Sequence, residues 1–203
     1  VYKRQSFDNV SFDFAKAISR SRDVSKQLTQ GIEYLVKKNK ITLFKDTASL
    51  SGDNSIKLLN SGESISSKNV IIATGARPRN LPNLEIDGEM IISSREALEL
   101  KKLPKSIGII GAGAIGVEFA YLFNAYGVEV KMFEAQNHLV PNEDKSISLE
   151  LEKIFSSKGI TFELNSTVSG TSVSENTINV EYDSSGEKKN YSCEKLLVAV
   201  GVQ

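Results

Sequence analysis

The chain has 203 residues, 40% of them hydrophobic and 25% charged, and its 25 basic and 25 acidic side chains give a formal net charge of zero. That balance excludes a disordered tail and leaves no overall field to gather nucleic acid or an anionic membrane. One cysteine, Cys193, and one histidine, His138, exclude an internal disulfide and a Cys/His zinc cage, and no window reaches the roughly 18 apolar residues of a membrane span. A soluble, cytoplasmic chain is expected. No Met opens it, and it stops soon after an apolar run, which reads as a fragment; Val1–Gln5 reads as a non-native scar and is set aside.

From Ser11 to about Asn39, Phe14, Ile18, Val24, Leu28, Ile32, Leu35 and Val36 recur mostly at spacings of three and four, which predicts one long amphipathic helix with Ser11 as its N-cap and Gly31 as a weak point. The period then changes. Ile41–Phe44, Thr47–Leu50, Ser55–Leu59, Glu63–Ser66 and Asn69–Ala73 read as short strands, the last of them buried. Arg77–Gly88, with Pro78, Pro82 and Gly88, reads as a linker.

Ser93 and Glu96 have capping-box spacing ahead of a short helix to Leu100, and Pro104 closes that stretch. A βαβ unit follows: strand Ile107–Ile110, a glycine turn, helix Ala114–Tyr126 stopped by Gly127, and strand Val128–Phe133. Another helix around Ile147, Leu151, Ile154 and Phe155 ends near Gly159 and leads into strand Ile160–Leu164. Thr167–Val173, Thr177–Tyr182, Lys188–Ser192 and Leu196–Val200 add further strands. The fold class is α/β: a Rossmann-like domain with a parallel sheet and an antiparallel appendage, preceded by a helix-plus-meander unit.

The turn Gly111-Ala112-Gly113-Ala114-Ile115-Gly116 leaves a strand and opens a helix, as a dinucleotide fingerprint requires. Gly111 permits the tight turn, Gly113 lets a pyrophosphate approach the backbone, and Gly116 lets helix and strand pack closely. Glycines serving only the turn are the competing reading. Glu134 weighs against it, because it ends the second strand about twenty residues on, where such folds hold the adenosine ribose hydroxyls. A 2′-phosphate at roughly 4 Å from that carboxylate would be repelled by about 4 kcal/mol, so the expected ligand is NAD and not NADP. Val117 and Glu118 continue the helix start, where a carboxylate favours the positive end of the dipole, either beside the nucleotide or as helix electrostatics alone.

GAGAIGVEFA (Gly111–Ala120), with VIIATGARPR (Val70–Arg79) and LLVAVG (Leu196–Gly201), resembles the pyridine-nucleotide disulfide oxidoreductases. Within them, GIEYLVKKNKI (Gly31–Ile41) resembles the members that reoxidise dihydrolipoamide for 2-oxo-acid dehydrogenase complexes. The resemblance implies that residues 6–88 are the incomplete second half of an FAD-binding domain and that 89–203 are an NAD-binding domain inserted into it. It implies FAD contacts at Ala48, Ala73, Thr74, Gly75 and Ala76, NAD held by Gly111 to Glu118 and Glu134, Val168 near the adenine, and Gly201 near the nicotinamide half. Ala48 stands where the family usually has Gly, and Val202 where many members have Arg.

The resemblance further implies electron flow from dihydrolipoamide through a redox disulfide and FAD to NAD, in a homodimer that serves the acyltransferase of such a complex. The CxxxxC pair and the catalytic His and Glu of that chemistry are absent from these residues, so no catalytic residue is assigned and the fragment alone is expected to be inactive. The apolar faces of the long helix and of Val70–Ala73 are expected to lie bare. Two alternatives stay open: another FAD/NAD(P) disulfide reductase, such as a mercuric or glutathione reductase or a transhydrogenase, and a non-catalytic NADH-binding module.

Overall fold

The computed structural model describes residues 8, 11–52, 54–82 and 84–203, and the expected scar lies outside them. The chain forms two compact units, one of Ala76–Gln203 with the segment up to Ser19, the other Arg20–Gly75.

The larger unit is built on five parallel strands: β4 Ile91–Ser93, β5 Ser106–Ile110, β6 Glu129–Phe133, β7 Thr161–Glu163 and β11 Lys195–Val198. Their order is β4-β11-β5-β6-β7. The period of two decides the layers. Ile107 and Ile109 of β5 and Val130 and Met132 of β6 face one side, where they bury Phe119, Ala120 and Phe123 of helix α3 (Ala114–Ala125) and Phe155 of helix α4 (Lys145–Ser157). Ile110 and Phe133 face the other side and pack on Ile178, Val180 and Tyr182. Those belong to an antiparallel sheet of β8 Ser166–Ser174, β9 Thr177–Ser184 and β10 Glu187–Cys193, ordered β10-β9-β8. The parallel sheet with its antiparallel appendage thus forms as the spacing predicts.

Helix α2 (Ser94–Ala97) opens with a complete capping box: Ser93 Oγ accepts from Arg95 N–H at 3.2 Å, and Glu96 Oε2 accepts from Ser93 N–H at 2.9 Å. Arg77–Gly88 is no free tether. Leu84 is buried in the core beneath the antiparallel sheet, and Arg77 and Gln203 exchange backbone hydrogen bonds at 2.8 Å. Phe12 and Phe14 set their rings edge-on to Tyr126, with centroids 5.8 and 5.2 Å away.

In the smaller unit, β1 (Ala48–Gly52), β2 (Ser55–Leu58) and β3 (Ser64–Ser66) form an antiparallel meander, and Asp46 caps its turns by accepting from Asn60 N–H and Ser61 N–H at 2.9 Å. Helix α1 spans Phe14–Lys38, and Gly31 does not interrupt it.

Three local expectations are corrected. Asp13, not Ser11, caps α1, because its Oδ1 accepts Lys16 N–H at 3.0 Å, the reach of an N-cap to N3. Ile41–Phe44 forms no strand. Asn69–Ala73 is neither a strand nor buried: Ile71 is 90% and Ile72 71% exposed, since among the described residues no strand completes their backbone pairing. As expected, the apolar stripe of α1 (Val24, Leu28, Ile32, Leu35) is exposed too.

Candidate functional site

Strand order reverses direction at β5: the chain proceeds outward through β6 and β7, while β11 lies on the opposite side. Ligands of open α/β sheets bind at the carboxyl ends of strands flanking such a point. The turn from Gly111 to Gly116 leaves β5 there, and its three glycines have three different structural reasons.

Gly111 takes φ +95°, and a Cβ on it would lie 2.6 Å from the carbonyl oxygen of Ala199. Gly116 is buried at the first turn of α3, and a Cβ there would run into the Gly111 carbonyl oxygen, so only glycine lets α3 sit this close to β5. Gly113 is the N-cap of α3 with ordinary φ −72°, and a Cβ there would meet nothing within 4 Å. It is the one glycine of the turn whose missing side chain leaves open space, a cradle at a helix N-terminus suited to a phosphate. Ala114 and Glu118 are exposed, and Ile115 and Val117 are half-buried, pressed against the helix-side core.

Glu134 is buried, at 7% exposure, immediately after β6. Its Oε2 accepts Ala112 N–H at 2.7 Å and its Oε1 accepts Gln136 N–H at 2.8 Å. Each oxygen keeps a lone pair for a further donor. Ala112, fully buried, also accepts Val140 N–H at 2.8 Å through its carbonyl, so the turn is pinned on both sides. Val140 makes that contact at φ +44°, a region β-branched residues rarely adopt and one that costs on the order of 1–3 kcal/mol. His138 lies in the same segment, its Nδ1 3.2 Å from the Leu139 carbonyl.

β8 starts against Glu134, whose carbonyl accepts Ser166 N–H at 2.8 Å, and two residues on, Val168 is half-buried against the second core. Gly201, exposed at φ +99°, follows β11, and its carbonyl accepts Arg79 N–H at 3.0 Å. The structure thus gathers Gly111–Glu118 and Glu134 around one turn, with Val168 one strand away and Gly201 beyond the strand that flanks Gly111. Ala48, in β1, and Ala73, Thr74 and Gly75, all exposed, belong to the smaller unit, with Gly75 at φ +75°; Ala76 falls in the larger. Cys193 is buried between the sheets, and burial pushes its thiol up to about 11, so it is not a reactive thiolate. Sequence reasoning missed the two N–H groups on Glu134 and the strained Val140; neither pattern leaves a periodic signal.

A parallel sheet with a glycine turn at its switch point and an acid closing the next strand defines a Rossmann-type domain. The description of the pyridine nucleotide-disulphide oxidoreductases matches residues 3–203, and the chain belongs to that family. Dihydrolipoyl dehydrogenase of Chlorobaculum parvum is 39% identical over 199 residues, covering 95% of this chain and 42% of that protein. Dihydrolipoyl dehydrogenase of Bacillus subtilis is 36% identical over 207 residues, with 96% and 44% covered. The HOCl-induced flavoprotein disulfide reductase RclA from Escherichia coli superposes at a TM-score of 0.80 with 30% identity over 95% of this chain and 43% of that one. LpdA from Mycobacterium tuberculosis, at 0.84 and 22% identity, supports the fold. The chain spans less than half the length of these relatives.

Proposed function

We propose that this chain supplies the NAD-binding domain, residues 89–203, and part of the FAD-binding domain, residues 6–88, of a cytoplasmic, homodimeric dihydrolipoyl dehydrogenase serving a 2-oxo-acid dehydrogenase complex. The observation that carries the reading is Glu134 fastened to Ala112: a buried carboxylate fixed beside an open, glycine-lined helix start. The residues fit a dinucleotide, since the N–H groups at the start of α3 and the open space at Gly113 would take the pyrophosphate, and Glu134 the ribose hydroxyls. Val168 would border the adenine and Gly201 the nicotinamide half.

On this reading Ala48 and Ala73–Ala76 would hold part of the FAD, which would supply the electron relay between a redox disulfide reduced by dihydrolipoamide and NAD as hydride acceptor, while the residues of this chain supply position and electrostatics. Preference for NAD follows from charge, because Glu134 would repel a 2′-phosphate and Ala135-Gln136-Asn137-His138 offers no arginine. A redox disulfide needs two cysteines, and these 203 residues contain one. The relatives' names and identities support the choice of dihydrolipoamide as the electron donor. Calorimetric titration of the chain with NADH and with NADPH tests the reading: NADH binding tighter than NADPH, weakened by Glu134→Ala, upholds it, and absence of binding by the folded chain overturns it.

A further inference from the structure

Lys131 is the one charged residue in the middle of β6, between buried Val130 and Met132, and the strand's alternation turns it toward the antiparallel sheet. There its Nζ lies 2.9 Å from Glu163 Oε1 and 3.1 Å from Tyr182 Oη, within 5.3–5.9 Å of the ring centres of Tyr182, Tyr191 and Phe133. Glu163 also accepts from Tyr182 Oη and Ser184 Oγ, both at 3.3 Å. Burial alone would lower the Lys131 ammonium, yet these partners outweigh it and hold it above its ordinary range.

The backbone links this cluster to Glu134. Phe133 pairs with Glu163, and the next rung is Glu134 N–H on the Glu163 carbonyl at 2.9 Å. The chain then turns through Asn165 at φ +50°, whose N–H donates to the Gln136 carbonyl at 2.9 Å, and Ser166 N–H donates to the Glu134 carbonyl at 2.8 Å. The main chain of Glu134 to Gln136 is therefore templated by the corner from Glu163 to Ser166. Where this corner begins, the Glu163 side chain ties β7 to β6 through Lys131 and to β9 through Tyr182 and Ser184.

We propose that Lys131, acting through Glu163, is a positioning residue for Glu134 and sets discrimination at the adenosine ribose of the dinucleotide. The inference rests on the NAD reading above. In this proposal Lys131 acts through Glu163 and not by contact with the dinucleotide. Its ion pair keeps the corner from shifting under Glu134, so the carboxylate meets the ribose hydroxyls with its geometry already fixed.

The test is calorimetric titration of the whole 203-residue chain with NADH and with its 2′-deoxyadenosine analogue, for wild type, Lys131→Met, Lys131→Arg and Glu163→Gln, with folding checked by circular dichroism. Wild type should favour NADH. Lys131→Met and Glu163→Gln should weaken NADH by about three- to tenfold, the scale of one hydrogen bond, and leave the deoxy analogue within about twofold. Lys131→Arg, which keeps a cation against the rings, should restore the preference. A folded Lys131→Met or Glu163→Gln that keeps the wild-type preference, or weakens both ligands equally, makes the cluster a packing element and overturns the inference alone. A wild type that binds neither ligand overturns the NAD reading and this inference with it.

Discussion

Glu134 Oε2 holds the N–H of Ala112 at 2.7 Å, joining two residues 22 positions apart across the mouth of the parallel sheet. The carboxylate assigned to a ligand is thus also a structural brace, and the two roles separate by substitution. Glu134→Ala leaves the buried Ala112 N–H without an acceptor, at a cost of about 1–3 kcal/mol in denaturant unfolding, and weakens NADH in titration. Glu134→Gln keeps one acceptor oxygen and should lose less stability while still losing the charge that repels NADPH, so the NADH-to-NADPH ratio narrows more than the unfolding midpoint moves.

The glycines of the turn make a second contrast. Gly116→Ala drives a methyl into the Gly111 carbonyl oxygen, and the shift of α3 that relieves it should cost about 1–3 kcal/mol in thermal or denaturant unfolding. Gly113→Ala meets open space at an ordinary φ and should leave stability within about 0.5 kcal/mol. It fills the cradle instead, and NADH affinity should fall by about tenfold, the effect of a clash of ~1.4 kcal/mol.

Much of the larger unit is legible in the sequence because its signals are local. Ser93 and Glu96 announce a capping box that forms, the glycine turn falls between the expected strand and helix, and Gly127 and Gly159 take φ +82° and +80° just after their helices. What fails is what depends on partners. Val70-Ile71-Ile72 is apolar enough for a buried strand, yet a strand exists only when another completes its ladder, and composition cannot show that. Glu134 is legible by spacing from the glycines, whereas its grip on Ala112, the Lys131 cluster and Val140 arise from contacts between distant segments.

Cys193 should behave as an inert core residue. Burial raises its thiol to about 11, and its sulfur lies against Gly108, where a Cβ would come within 3.3 Å of it. At pH 8 the native chain should react with a thiol reagent far more slowly than the unfolded one. Because the folded value is raised above the ordinary thiol value of 9.0, its stability contribution is complete below about pH 9 and is lost as pH rises toward about 11. Cys193→Ser, which lacks that ionisation, should flatten the alkaline limb of a pH–stability curve.

The acid limb should report Glu163. Its hydrogen bond from Lys131 holds the carboxyl below the ordinary carboxylate range, outweighing burial with help from the charges of Lys131 and Lys189. A group whose folded value is depressed stabilises the fold above its unfolded value, and that contribution disappears as pH falls through the carboxylate range. The pair is partly exposed, with 18% and 26% of the two side chains accessible, so its share is no more than about 1 kcal/mol. Urea unfolding of wild type and Lys131→Met at pH 7 and at an acid pH below the depressed Glu163 value checks this: the two should differ at pH 7 and converge once Glu163 is protonated and no longer pairs. Equal gaps at both values would show that the lysine contributes through its packing against Tyr182 and Tyr191 and not through its charge.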